Sequence, residues 1–393
     1  MDISTIFVIA ITTARMVMPG MPVIPNMPGA SDFNAPTRTL TMNLNSGQKA
    51  DADSKAECAI PEGLKLGPKV NLTIDLPQKT EAVEGTATED KKETGNTEFR
   101  MKAYWGCSEK VLEGQPKIIE FKDMNQSMRE GMKNRDTKQS WSRAIEAAEN
   151  SSHAYWPGED DRKIAKDAVC PGDYELTTNY TGGTSITFDK PQDFLAPIDI
   201  VSPGKKIDFE KFIKVEWKTV PNAVAYLLTA FSGSGKETIT WTSSSDSNQP
   251  MNIQNEALSK AEVEKYIKNG VLLPADATFC CIPAGIFKDT KNAMLTVLAV
   301  GADKSQTKDD ITTHVIVRSN ATVMLGAMDM GGDEVEETSD NKDSGDKKDP
   351  AVKDEASADN SANVDPVDKT NETLDEADKV KSTVKRVKKI LKW

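Results

Sequence analysis

The residues best equipped for chemistry are five cysteines, Cys58, Cys107, Cys170, Cys280 and Cys281, and two histidines, His153 and His314. No two cysteines have the C-x-x-C spacing of a metal site, and the histidines lie far apart in the chain, so a zinc centre or a histidine-based cluster is disfavoured by counting. A Ser-His-Asp arrangement would have to draw on His153, in a charged stretch, or His314, in the strand pattern His314-Val-Ile-Val. Neither context suits a general base. In an oxidising compartment the cysteines would pair and leave one over; the other reading is buried free thiols, and a ring between the neighbours Cys280 and Cys281 would be strained. The words Cys58-Ala-Ile-Pro-Glu-Gly and Cys281-Ile-Pro-Ala-Gly echo each other and hint at two related β units.

Three further motifs are weaker than they look. Gly233-Ser-Gly-Lys-Glu resembles a phosphate loop, but Ala230 stands where its first glycine belongs, and Glu237 follows Lys236 in place of a hydroxyl residue. A hairpin turn is the better expectation. Glu159-Asp160-Asp161 invites a calcium reading, yet the D-x-[DN]-x-[DN]-G order of a calcium loop is missing and adjacent acids are ordinarily solvated. Met16, Met18, Met21 and Met27 could hold soft copper(I), although interleaving with Pro19, Pro22, Pro25 and Pro28 fits a flexible leader better. Cofactor and metal expectations are therefore both none.

The elements that must position these residues begin with an apolar run, residues 6–14, IFVIAITTA, of the length of a signal-peptide core and too short to span a membrane as a helix. Export is the first expectation, giving a periplasmic or secreted protein. Asp2 in place of a basic start supports the alternative, a buried strand in a cytoplasmic chain. At the far end, residues 331–378 hold 17 Asp or Glu against 5 Lys and no aromatic, a composition expected to be disordered. From Lys379 to Trp393 the sign reverses, with seven Lys or Arg and no acid, while Leu374, Ala377, Val380, Val384, Val387 and Leu391 recur at helical spacing. A basic amphipathic (or coiled-coil) helix over 374–393 would present Lys381, Lys385, Arg386, Lys388, Lys389, Lys392 and Trp393 to an anionic membrane surface or an envelope protein. Docking on the acidic tail is a competing use.

Between the ends the period is two. Residues 37–46, 70–76, 99–107 and 117–121 predict strands of a β-rich unit over 35–122, and 123–171 is a charged connector with a helix expected over 137–149. Residues 172–328 form a second β unit, with strands expected at 173–179, 185–188, 213–217, 223–231, 237–242, 293–301 and 314–317, and a last apolar run at 322–325. One helix interrupts it: Ser259 and Glu262 form a capping box, Val263, Tyr266 and Ile267 its apolar face, and Gly270 its stop. Residues 1–34 are the signal-like segment and linker, and 329–373 the acidic tail. The fold class expected is mainly β, two β-sandwich-like units with a partly helical connector.

Residues 213–233, IKVEWKTVPNAVAYLLTAFSG, resemble the B- and C-strand region of fibronectin type III domains, through Trp217, Pro221, Asn222, Ala223 and Tyr226 in order. That likeness implies a β-sandwich with a core tryptophan and nothing catalytic. More of the chain resembles a family of exported Gram-negative bacterial proteins with no assigned activity, through CAIPEGLKLGPKV at 58–70, YWGCSEKVLEGQPKII at 104–119 and GDYELTTNYTG at 172–182. It implies compartment and fold and transfers no site.

Net charge, from 49 basic against 61 acidic residues, is −12, which argues against a nucleic-acid surface on the body of the protein. Trp105 and Trp156, beside turn residues, are candidates for a ligand platform, while Trp217 and Trp241 fall on strands. The expectation is a non-enzymatic, exported, envelope-associated structural or binding protein with no small-molecule ligand. The alternative is an envelope polysaccharide or peptide hydrolase working through paired carboxylates.

Overall fold

Thirteen residues at the start of the chain, TIFVIAITTARMV, form strand β1 (Thr5–Val17). Thr, Ile and Val dominate it, the types whose branched side chains pack on a pleated surface. In the computed structural model, which describes residues 5–17, 35–75, 100–120, 151–158, 162–204, 206–234, 236–245 and 253–326, β1 lies inside a sheet. It runs antiparallel to β2 (Thr37–Ser46) and parallel to β19 (Ile311–Gly326). Phe7, Val8, Ile9 and Ile11 are all within 1% of full burial. A strand covered on both faces reads as a continuous apolar run, which is why the same residues resemble the core of a leader.

The main sheet has 12 strands. Outward from β1 on one side come β2, then β8 (Ser152–Trp156) and β5 (Thr73–Asp75). On the other side come β19, β17 (Asn292–Val300), β13 (Ala225–Ser234), β14 (Glu237–Thr242), β6 (Arg100–Trp105) and β7 (Lys117–Glu120). Off this path, β15 (Leu273–Pro274) pairs with β13 and β18 (Lys304–Lys308) with β19. A second sheet of four strands has the order β10 (Thr184–Phe188), β9 (Gly172–Thr178), β3 (Ala56–Ala59), β4 (Lys69–Asn71). The third comprises β11 (Ile200–Ser202), β12 (Ile213–Trp217) and β16 (Phe279–Ile282).

The protein is therefore mainly β, and most expected strands form. Three differences have local causes. The run 70–76 is divided at Leu72, whose N–H donates to the Ala56 carbonyl at 2.9 Å, so that β4 joins the second sheet and β5 the main one. The runs 314–317 and 322–325 form one continuous strand of 16 residues, because Arg318 between them is buried against a partner instead of breaking the pattern. Residues 35–122 and 172–328 contribute strands to shared sheets: β3 pairs β9, β6 pairs β14, and β8, from the expected connector, pairs β2. All described residues belong to one compact unit, Met1–Gly331.

One apolar cluster spans the three sheets, joining Ile9 and Met42 to Leu176, Trp217, Trp241 and Ile282. A second covers the opposite side of β13 and β17, where Leu227 and Leu298 meet Val263 of helix α1 (Lys260–Lys268). That helix starts as expected: the Ser259 hydroxyl accepts from the Glu262 N–H, the Glu262 side chain accepts from the Ser259 N–H, and Gly270 takes φ +70° just past its end. At the other glycine-rich motif β13 and β14 pair up to Ser234 opposite Glu237, the hairpin expected of 233–237. The expected helix 137–149, the cluster 159–161, the linker methionines 18, 21 and 27, the acidic tail and the whole segment 374–393 lie outside the described residues.

Candidate functional site

Strand β6 runs into Gly106-Cys107, and three bonds hold that turn to the rest of the molecule. The Gly106 N–H donates to the Thr242 carbonyl at 2.9 Å, the Trp241 indole N–H donates to the Gly106 carbonyl at 3.1 Å, and Cys107 forms a disulfide with Cys280 on β16. The disulfide closes a separation of 173 residues with the two Cα atoms 5.3 Å apart. Beyond it the chain follows the edge of β16, where the Ser108 N–H donates to the Cys281 carbonyl and the Ala284 N–H to the Glu109 carbonyl. Of the five cysteines named from the sequence, the structure brings Cys107 and Cys280 together and leaves Cys58, Cys170 and Cys281 as thiols.

These thiols differ. Burial in the apolar core pushes the Cys58 thiol up to about 12, and burial followed by the charge of Asp193 raises Cys170 further, so both are protonated at any ordinary pH. Cys281 alternates with Cys280 and so faces outward from the third sheet, opposite Lys214. Partial burial and the nearby Glu109 also raise its thiol. None of the three is poised as a nucleophile.

The outward face around Cys281 is aromatic and charged. Phe279 is 58% exposed with the Lys214 ammonium 5.2 Å from its ring centre, and Val201 on β11 is 61% exposed. Lys214 also pairs with Glu216 at 2.6 Å. Trp105 is half-buried, and its main chain is bracketed by Gln115, which accepts from its N–H and donates to its carbonyl. Trp156, expected with it as a platform, is a correction: on β8, opposite Met42, it is 2% exposed and packs in the core. The alternation of SHAYW turns Ser152, Ala154 and Trp156 inward, so its ring is sealed from any ligand.

Both histidines sit in polar clusters. His153 Nδ1 is 2.9 Å from Asp75 Oδ2 and its Nε2 is 3.4 Å from Asn43 Oδ1, with the ring stacked on Tyr155 at 5.3 Å. A carboxylate-oriented imidazole is two-thirds of a nucleophilic triad, yet its second nitrogen meets an amide oxygen and no hydroxyl. His314 Nδ1 lies 2.8 Å from Ser305 Oγ, and Asp303 is close enough to raise its proton affinity, against burial, which lowers it more. Ser305, His314 and Asp303 thus gather in one place, but Asp303 does not orient the ring. Its two oxygens accept from both Arg318 Nη atoms and from the Leu258 and Val317 N–H groups. Burial pushes the Asp303 carboxyl up and the arginine opposes it; sealed in this way it cannot serve as one of a pair of hydrolytic carboxylates.

A surface groove of about 410 Å³ opens beside β3 and β5, lined by Asp51, Ser54, Lys55, Glu57, Asn71 and Ile74 among others. Its two carboxylates are engaged locally: Asp51 Oδ1 accepts from the Asp53 N–H and the Ser54 hydroxyl, and Glu57 pairs with Lys69 at 2.6 Å. Among the described residues no three His, Cys, Asp or Glu side chains gather as a metal site would require.

Sequence reasoning had placed β8 inside a connector, so it missed the His153–Asp75 pair; the alternation in SHAYW was the signal for it. It also had no means of pairing Arg318 with Asp303, since a lone arginine in an apolar run carries no mark of its partner.

Fold and surface together define a mainly β protein organised around one long mixed sheet and fastened by one disulfide among the described residues. No protein-family model matches the chain, and neither a curated protein nor a solved structure similar to it was found.

Proposed function

We propose that this chain is a non-enzymatic structural or binding protein of an oxidising, extracytoplasmic compartment, whose basic segment 374–393 engages an anionic surface. The observation that carries this reading is the Cys107–Cys280 bond, since disulfides persist where glutathione and thioredoxin do not reduce them. The same bond pins the exposed Phe279 surface to the end of β6. In this reading export does not proceed by removal of residues 6–14, because β1 is needed in the sheet. The sandwich-like character of the third sheet on the main one draws support from Trp217 on β12 and Tyr226 on β13. Their rings lie 5.4 Å apart, with the Tyr226 hydroxyl accepting from the Val220 N–H at 2.7 Å.

Within it, residues 379–393 carry seven Lys or Arg with no acid, each worth about 1 kcal/mol near an anionic bilayer. The test is co-sedimentation of the full chain, and of a chain ending at residue 373, with vesicles of mixed zwitterionic and anionic phospholipid. The full chain should bind, with affinity falling as salt rises, and the truncated chain should not. Equal binding by the two would sink the surface-engaging role.

A further inference from the structure

We propose that the outer face of the main sheet, over β6, β14, β13, β17 and β19, is the contact surface for a second copy of this chain, the two sheets packing face to face. This goes beyond the reading above and is independent of segment 374–393.

The face follows from alternation and register. In β14 the inward positions are Ile239 and Trp241, which leaves Thr238, Thr240 and Thr242 pointing out. Thr242 lies beside Trp105 on β6 and Thr229 on β13. Thr229 lies beside Thr296 on β17, and Thr296 beside Thr322 on β19. Adjacent strands thus build one continuous row. Two residues along, the next row runs Ala103, Thr240, Phe231, Met294, Met324, and Met101 beside Thr238 begins a third. Phe231, in the middle of the second row, is 48% exposed. Thr229 is exposed as well, and the others are half-buried, as neighbours on an open sheet face are.

None of these residues is charged, although 28% of the chain is. Depletion of charge together with Trp, Phe and Met is the composition of an interface core, and a contiguous surface of this kind marks a site of association. Beside it the same face is already covered: Leu227, two residues before Thr229, and Leu298, two after Thr296, pack with Val263 of α1. The second copy extends that cover across the remaining strands.

Two arguments select a copy of this chain as the occupant. A face without charge offers nothing to an acidic or basic partner, whereas a hydroxyl both donates and accepts, so a threonine row is matched by another copy of itself, as a two-fold contact demands. Thr296 and Thr322 already pair in this manner within the row, their Oγ1 atoms 3.4 Å apart. The second argument is area. Five strands about 4.8 Å apart, carrying three rows about 7 Å apart, make a patch of roughly 500 Å². Two such patches bury about 1,000 Å², which meets the lower bound for a specific interface.

The test is sedimentation equilibrium of the full chain over about 1–100 μM, the range in which a contact at that lower bound associates. The mass should rise from 42.9 kDa towards twice that value. Phe231→Glu places a like charge in both halves of the contact and should raise the dimer Kd by about 100-fold or more. Thr229→Lys should do the same from an exposed position, and it decides the matter if circular dichroism shows that Phe231→Glu has lost the fold. Phe279→Glu, on the third sheet and 58% exposed, should leave the Kd unchanged. A chain that is monomeric throughout overturns the proposal. So does a dimer that folded Phe231→Glu and Thr229→Lys variants leave intact, or one that Phe279→Glu alone dissolves. Vesicle binding is read through truncation at 373, so the two proposals fail separately.

Discussion

Arg318 and Asp303 are joined by a salt bridge of 2.7 Å in which each side chain is only 1% exposed. The guanidinium also donates to the carbonyls of Ile253, Glu256 and Val317, and the carboxylate accepts from two main-chain N–H groups, so no polar atom of the pair is left over. The pair ties β19 to the segment leading into α1 and to the turn before β18. Removing one partner from such a pair leaves an unsatisfied charge in the core, which costs about 3–5 kcal/mol. Arg318→Met should lower unfolding free energy by that amount in urea titration. Arg318→Met with Asp303→Asn should recover part of it, and a loss under about 1 kcal/mol for the single variant would refute the role.

His314 makes stability depend on pH. Burial holds its pKa below the ordinary 6.5 while the charge of Asp303 opposes that shift. Between the depressed folded value and 6.5 the unfolded chain binds more protons than the folded one, so stability is complete above pH 6.5 and declines as pH falls through that window. His314→Gln, which can keep a polar contact with Ser305, should flatten the slope of unfolding free energy between pH 5 and 7 (a range chosen around the imidazole's usual value). An unchanged slope would show that the ring does not titrate as described.

The disulfide makes a mapping prediction and an energetic one. Non-reducing peptide analysis should find Cys107 bonded to Cys280, with Cys281 alkylated in the native protein and Cys58 and Cys170 only after unfolding. In the chain-entropy description a crosslink over 173 residues stabilises by about 5 kcal/mol. Cys107→Ser should therefore lower the denaturation midpoint substantially, and a shift within error would mean that the reduced chain holds these segments together unaided.

Strand β1 should remain in the mature protein. Intact mass of material from native cells should include residues 5–17, and Ile9→Ala, at a position with no exposure, should cost about 2–5 kcal/mol in the full chain. Folded, soluble protein that begins after residue 17 would contradict the place of β1 in the sheet.

Much of the architecture was readable locally. Alternation in TRTLTMNLNS and the capping box at Ser259 and Glu262 each depend on neighbours within a few residues, and β2 and α1 form where those signals stand. The same local logic read IFVIAITTA first as a leader and only second as a strand, since an apolar run has no period to distinguish a leader from a strand buried on both faces.

What the sequence by itself determined, then, is the type of most elements, because backbone propensity and burial period are properties of short windows. Tertiary structure alone decided that Thr5 lies beside Ile311, that Cys107 takes Cys280 among its four candidate partners, that Trp156 is core while Phe279 is surface, and that Arg318 finds Asp303. Each of those depends on which distant segments the core brings together. Such choices are made by the summed burial of the whole sheet, and no single window of the chain encodes them.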